Sequence, residues 1–243
     1  MRRGPMRRAS SPSPCGETSK ADPRCLWAIL SATADLGPSP DRVNFVERVV
    51  LARHGESERS VVGLTNGDPR VACALTAVGR EEARRLGIEL ADDAIDLCVT
   101  SEFERARETA DLALAGRDVP RLVLGDLNDI RFGEYEGRPL TDYRTWARAH
   151  GPEDVVPGGD SRAGTVGRYV SAYRTILARP EETVLVVAHG LPVRYVLDAV
   201  EGRDPAAAIA QVPYAKPFRL TAEALREAVD RLEAWTQRPA WAT

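Results

Sequence analysis

The chain has 243 residues, is 43% hydrophobic and 28% charged, and carries a net charge of −3. That suits one globular domain with a full core plus a tail, or two small domains. It excludes a nucleic-acid binder built on a broadly basic surface, and no apolar run reaches the roughly 20 residues needed to cross a bilayer.

The four cysteines, Cys15, Cys25, Cys73 and Cys98, form no C-x-x-C pair and have no histidine near them in sequence. Neither a zinc site nor a disulfide framework is expected, and a cytoplasmic protein is. Charge is unevenly placed. Residues 1–42 hold seven Lys/Arg against four Asp/Glu, and the remainder holds 26 against 32. An anionic ligand would therefore be drawn by a local group of arginines, not by the overall field.

Residues 1–42 are rich in Arg, Ser and Pro without any period, and read as a disordered or weakly structured head. The run CLWAILSATA imitates the core of a signal peptide, but Glu17 and Asp22 sit in what should be a basic lead-in. A weak helix there, or an over-extended start with initiation near Val43, are the competing readings. Residues 43–243 are expected to form the folded domain.

VVLA from Val49 is the first strand expected, unbroken and branched as befits burial on both faces. A loop follows, with turn residues at Thr65-Asn66-Gly67-Asp68-Pro69. Thr76 then caps a helix whose Ala83, Leu86 and Leu90 share a face. IDLCVTS from Ile95 is the second strand, SEFERARETADLAL the helix after it, and RLVLGDL from Arg121 a third strand. The Gly-rich loop NDIRFGEYEGRPLTD leads to the punctuation Pro157-Gly158-Gly159-Asp160-Ser161. The next helix carries Val166, Tyr169, Val170, Tyr173, Ile176 and Leu177 on one stripe. TVLVVA from Thr183 is the fourth strand and LPVRYVLDAV the helix behind it. Pro213 and Pro217 suit an edge segment, and LTAEALREAVDRLEAW closes the chain as a helix.

Strands alternating with helices predict an α/β domain of three layers, a mostly parallel sheet with helices on both faces. Ligands of such sheets bind at the carboxyl ends of the strands. His54, His189 and Ser101 all fall at such ends, with Arg105 four residues beyond Ser101. Arginine forks suit the oxygens of a phosphoryl group, and a neutral imidazole can attack phosphorus. A carboxylic acid of raised pKa can protonate the leaving alkoxide.

These residues resemble the histidine phosphatase superfamily, in its phosphoglycerate-mutase-like branch. Arg53-His54-Gly55-Glu56, SEFERARETA, LNDIRFGEYEG, PGGDS and VVAHG match five of its motifs in order, from about Arg48 to Val200. The resemblance implies that His54 takes the phosphoryl group, that Arg53, Arg105 and His189 cradle it, and that Asp129 is the acid and then the base for water. Ser60 and Gly190 complete the phosphate contacts. No metal and no cofactor is implied. Four positions depart from the family pattern. Ser60 stands where Asn is usual, Asp129 and Asp160 where Glu is, and Glu108 where Gln is. Arg194, His150, Glu134 and Glu136 read as structural or solvated.

The leading expectation is a metal-independent phosphomonoesterase acting on a small phosphorylated metabolite. The runner-up is a phosphoglycerate-type mutase, although the Glu-Arg-His-Tyr-like segment of mutases is missing. A reading from another class is a phosphate-binding protein without turnover. The expected partner is a small phosphomonoester, with no nucleic acid and no membrane; a homodimer stays open.

Overall fold

The computed structural model describes residues 45–242. The head expected over residues 1–42 lies outside the described residues. Five strands form one sheet in the order β3-β2-β4-β1-β5. They are β1 (Arg48–Arg53), β2 (Leu97–Thr100), β3 (Arg121–Val123), β4 (Thr183–Ala188) and β5 (Phe218–Thr221). β1 to β4 run parallel, and β5 pairs antiparallel with β1 at the edge.

The helices are α1 (Glu58–Val61), α2 (Ala77–Glu89), α3 (Glu104–Ala113), α4 (Leu140–Ala149), α5 (Arg162–Leu177), α6 (Gly190–Val200) and α7 (Ala222–Thr236). Alternation along each strand sorts the side chains between the two faces of the sheet. Val50, Ala52, Leu185 and Val187 pack with Leu86, Phe103, Ala106 and Ala110 of the α2–α3 layer. Val49, Leu51, Val184 and Val186 pack on the other face with Tyr169, Tyr173 and Ile176 of α5 and Leu225, Val229 and Leu232 of α7. Because β4 is covered on both sides, all six of its residues are buried, which is why it reads as an unbroken apolar run. The expected three-layer α/β domain is the one observed.

Local expectations mostly hold. Thr76 caps α2 by accepting the Gly79 N–H at 3.0 Å. The third strand is shorter than RLVLGDL suggests. It is an edge strand that pairs only with β2, and its ladder ends where Leu124 N–H donates to Thr100 O at 2.8 Å. The chain then turns through a 3-10 helix at Gly125–Leu127. β5 begins directly after Pro217, as an edge segment flanked by proline should.

Candidate active site

The register of the sheet assembles the site. Arg53 is level with Ala188 in the β1–β4 ladder, and His54 N–H donates to Ala188 O at 2.9 Å. His54 and His189 therefore leave adjacent strands side by side, with ring centroids 5.3 Å apart. Ser101 leaves β2 on the other side of β4. Gly55 follows His54 because a Cβ there would sit 2.5 Å from Gly79 O, so any side chain would push the start of α2 off the histidine loop.

The hydrogen bonds define both imidazoles. His54 Nδ1 lies 2.7 Å from Gly55 O, an acceptor, so Nδ1 carries the proton and Nε2 keeps its lone pair. Arg105 Nε donates to that lone pair at 3.2 Å. Arg105 Nη2 donates to His189 Nδ1 at 3.2 Å, which places the His189 proton on Nε2, directed at Ser101 Oγ at 2.8 Å. Burial, then Arg105 and Arg53, hold the His54 pKa well below the usual histidine range. Burial, then Arg105 and His54, do the same to His189. Both rings are neutral at physiological pH.

Arg105 is 4% exposed and is gripped by Asn66, through Oδ1 and through the main-chain carbonyl at 3.1 Å. Arg53 donates from Nη1 to Val212 O at 2.9 Å and stacks over the Tyr214 ring at 3.9 Å. Its buried Nε has no hydrogen-bond partner. A buried donor without an acceptor is costly, and here an anion would supply the acceptor. A Cβ on Gly190 would point toward this nitrogen at 4.0 Å. Gly190 and Leu191 bring the first turn of α6, whose N–H groups lack partners within the helix, to the same cavity.

Asp129 Oδ2 lies 3.9 Å from both Arg105 Nη2 and His189 Nδ1. Burial raises its pKa above the ordinary aspartate value, against the pull of Arg105, the Ile130 N–H, Arg53 and Arg168. The loop that carries it is pinned by Arg168, which donates to the carbonyls of Asp126, Asn128 and Asp129 at 3.1, 2.7 and 3.2 Å. Asp160 accepts from Arg131 N at 3.1 Å and lies 3.7 Å from Arg168.

Arg53, His54, Ser60, Arg105, Asp129 and Gly190 line one cavity of about 320 Å³. His189 lies beneath it, fully buried. Ser60 is placed differently from the others. Its hydroxyl accepts from Ser57 N at 2.8 Å and donates to Ser57 O at 2.8 Å, closing the cap of α1. A phosphate contact would require that hydroxyl to turn away from the cap.

Glu108 ties α3 to the start of α2 and the loop before it, accepting from Arg80 Nε at 2.6 Å and Leu75 N at 2.9 Å. Glu136 accepts from Gly67 N with both oxygens. His150 stacks on Trp146 at the exposed end of α4, and Arg194 donates to Ala210 O, so neither is in the cavity lining. Asn66, Tyr214 and Arg168 were not singled out by the sequence. Asn66 had only a turn signal, and the other two had none.

Among the described residues no group of three or more His, Cys, Asp or Glu side chains is placed to hold a metal ion, and no helix is long and apolar enough to cross a membrane. Cys73 and Cys98 are buried free thiols.

The family model of the histidine phosphatase superfamily (branch 1) matches residues 49–234. The chain is 29% identical over 158 residues to the uncharacterized phosphatase PhoE of Bacillus subtilis (strain 168), covering 65% of this chain and 79% of that protein. It is 37% identical over 174 residues to the 2,3-bisphosphoglycerate-dependent phosphoglycerate mutase of Methylobacterium sp. (strain 4-46), covering 63% of this chain and 80% of that one. The crystal structure of the alpha-ribazole phosphatase from Shigella flexneri superposes with a TM-score of 0.57 at 27% identity, covering 71% of this chain and 89% of that one. With the family's motifs gathered at one crevice and its model spanning most of the chain, the protein belongs to the histidine phosphatase superfamily, branch 1, as a phosphoester hydrolase.

Proposed function

We propose that the protein is a metal-independent phosphomonoesterase that acts on a small phosphorylated metabolite through a phosphohistidine at His54. The observation that carries this reading is the unprotonated Nε2 of His54, held against Arg105 in a cavity that also contains the Asp129 carboxyl. A phosphoryl group entering there would take over the Arg105 donors and the unpartnered Arg53 Nε. His54 Nε2 attacks phosphorus as the ester P–O bond breaks, and protonated Asp129 gives its proton to the departing oxygen. Water then attacks the phosphohistidine, loses a proton to Asp129, and releases phosphate as the P–N bond breaks. Two arginines supply the positive charge that phosphoryl transfer requires.

The test is acid quenching after brief exposure to a labelled substrate. An acid-labile, base-stable label on the wild-type protein and none on His54→Ala is expected. Label retained by His54→Ala would overturn the assignment. Turnover is expected to survive exhaustive chelation, and a loss restored by magnesium or manganese would refute metal independence.

The mutase reading draws on the 37% identity to the Methylobacterium enzyme. Isomerisation of 3-phosphoglycerate faster than phosphate release, with bisphosphate primer present, would establish it in place of hydrolysis.

A further inference from the structure

Arg162 is the first residue of α5, and its side chain is one that the phosphoryl cradle does not use. It is 5% exposed. Its Nε donates to Tyr143 Oη at 2.8 Å and its Nη1 to Tyr195 Oη at 2.5 Å. Both partners are neutral phenols, each 1% exposed. Among the described residues no carboxylate pairs with Arg162, and its Nη2 has no acceptor. Buried guanidinium groups are ordinarily matched by an anion, because the desolvation of the charge is otherwise uncompensated. The phenols hold the guanidinium still without neutralising it.

Arg162 lines the same cavity as His54, together with Arg59 and the exposed Arg144. Among the described residues Asp129 is the only carboxylate in that lining. Arg53 and Arg105 suffice for the transferred phosphoryl group, so the cavity holds more fixed positive charge than one phosphate needs. Its remaining walls include Leu64, Leu140 and Ile209, which suit a short carbon skeleton.

We propose that the substrate carries a second anionic group, a carboxylate or a second phosphate, which Arg162 binds through its unpartnered Nη2. This proposal rests on the phosphomonoesterase reading above. The charged Nη2 group can donate to an oxygen of either anion. Selectivity follows, since a neutral analogue would leave the buried guanidinium unmatched.

The experiment compares matched pairs on the full chain, with p-nitrophenyl phosphate as a reference. One pair is 3-phosphoglycerate against glycerol 3-phosphate, which tests a carboxylate. Another is fructose 1,6-bisphosphate against fructose 6-phosphate, which tests a second phosphate. A preference in kcat/KM for the doubly anionic member of at least one pair, on the order of 10- to 100-fold, is expected. Arg162→Gln should collapse that preference, chiefly through KM. If the glutamine variant does not fold, Arg162→Met carries the same test, because it keeps an apolar chain of similar length and removes the charge.

Turnover of p-nitrophenyl phosphate with no preference in any pair would overturn this proposal and leave the phosphatase reading standing. A preference that survives in the Arg162 variant would remove Arg162 from the role. Failure to release phosphate from every compound would instead reject the phosphomonoesterase reading itself.

Discussion

Arg105 donates its Nε–H to Nε2 of His54 at 3.2 Å, so the arginine placed to cradle a phosphoryl group also covers the lone pair that would attack it. The contact keeps the imidazole oriented and unprotonated. A guanidinium has no proton acceptor, and its charge opposes a second positive charge beside it. On the proposed mechanism an incoming phosphate is the better acceptor for these N–H groups, and by drawing them away it would uncover His54 Nε2.

Replacing Arg105 should therefore do two kinds of damage. Arg105→Ala is expected to lower kcat/KM by roughly 10²–10³-fold, the usual loss for a buried donor that stabilises developing charge. Arg105→Lys should recover little, because one ammonium cannot reach Asn66, His54 and His189 together. Steady-state kinetics on p-nitrophenyl phosphate decides the matter, and near-complete rescue by lysine would contradict the geometry.

Asp129→Asn should separate substrates by leaving group. General acid catalysis contributes about 10²–10⁴-fold, so an alkyl phosphate should slow by that order. p-Nitrophenyl phosphate should slow far less, since its leaving group departs with little need of a proton. Equal losses on both would argue against Asp129 as the acid.

The pH dependence has a definite sign. On the proposed mechanism Asp129 is protonated for the first step, and burial lifts its pKa above the ordinary value. Its acid form is lost as pH rises through that raised pKa, so turnover of an alkyl phosphate should fall on the alkaline side. His54 must be neutral, and its pKa lies well below the usual histidine range, so the acid limb should lie well under pH 6.5. A pH–rate profile with an acidic to neutral optimum is expected, with its alkaline limb blunted for p-nitrophenyl phosphate.

Stability should respond to the same histidines. In the unfolded chain His54 and His189 take protons near pH 6.5, and in the folded protein they resist until much lower pH. Their contribution is present above about pH 6.5 and is lost progressively as pH falls. Asp129, with its raised pKa, works weakly the other way. Urea midpoints measured between pH 7.5 and 5 should decline, and a rising midpoint would show that the two rings are not held neutral.

On the proposed mechanism Arg168 would act on the reaction through the Asp129 loop, which it pins. Arg168→Ala removes donors from three carbonyls of the loop, those of Asp126, Asn128 and Asp129. An alkyl phosphate should lose about 10-fold in kcat, within the range that a misplaced catalytic group costs. p-Nitrophenyl phosphate should lose less, which is the pattern of a displaced acid. A uniform loss on both substrates would mark Arg168 as a stabilising residue only.

Much of the site is legible in the sequence because the parallel sheet uses local signals. His54 and His189 each follow an apolar run, and strands buried on both faces produce such runs. Arg105 is legible from its motif spacing after Ser101. Ser60 is the position where motif and structure pull apart, since a serine close to Ser57 finds an N-terminal cap to close before it reaches a phosphate.

What the sequence by itself determined is the order of strands and helices and the two histidines at strand ends; Asp129 was pointed to only by the family resemblance. Those follow from periodicity, turn chemistry and motif spacing, all of which act over a few residues. Only the tertiary structure decided that Asn66, Tyr214, Arg162 and Arg168 belong to the same region. Asn66 and Tyr214 reach it from loops, and Arg162 and Arg168 from the start and the middle of α5, where side-chain direction is set by packing against residues far away in the chain. The charge state of the site was decided there too, because burial and neighbouring guanidinium groups move the histidine and aspartate pKa values, and neither is a property of local sequence.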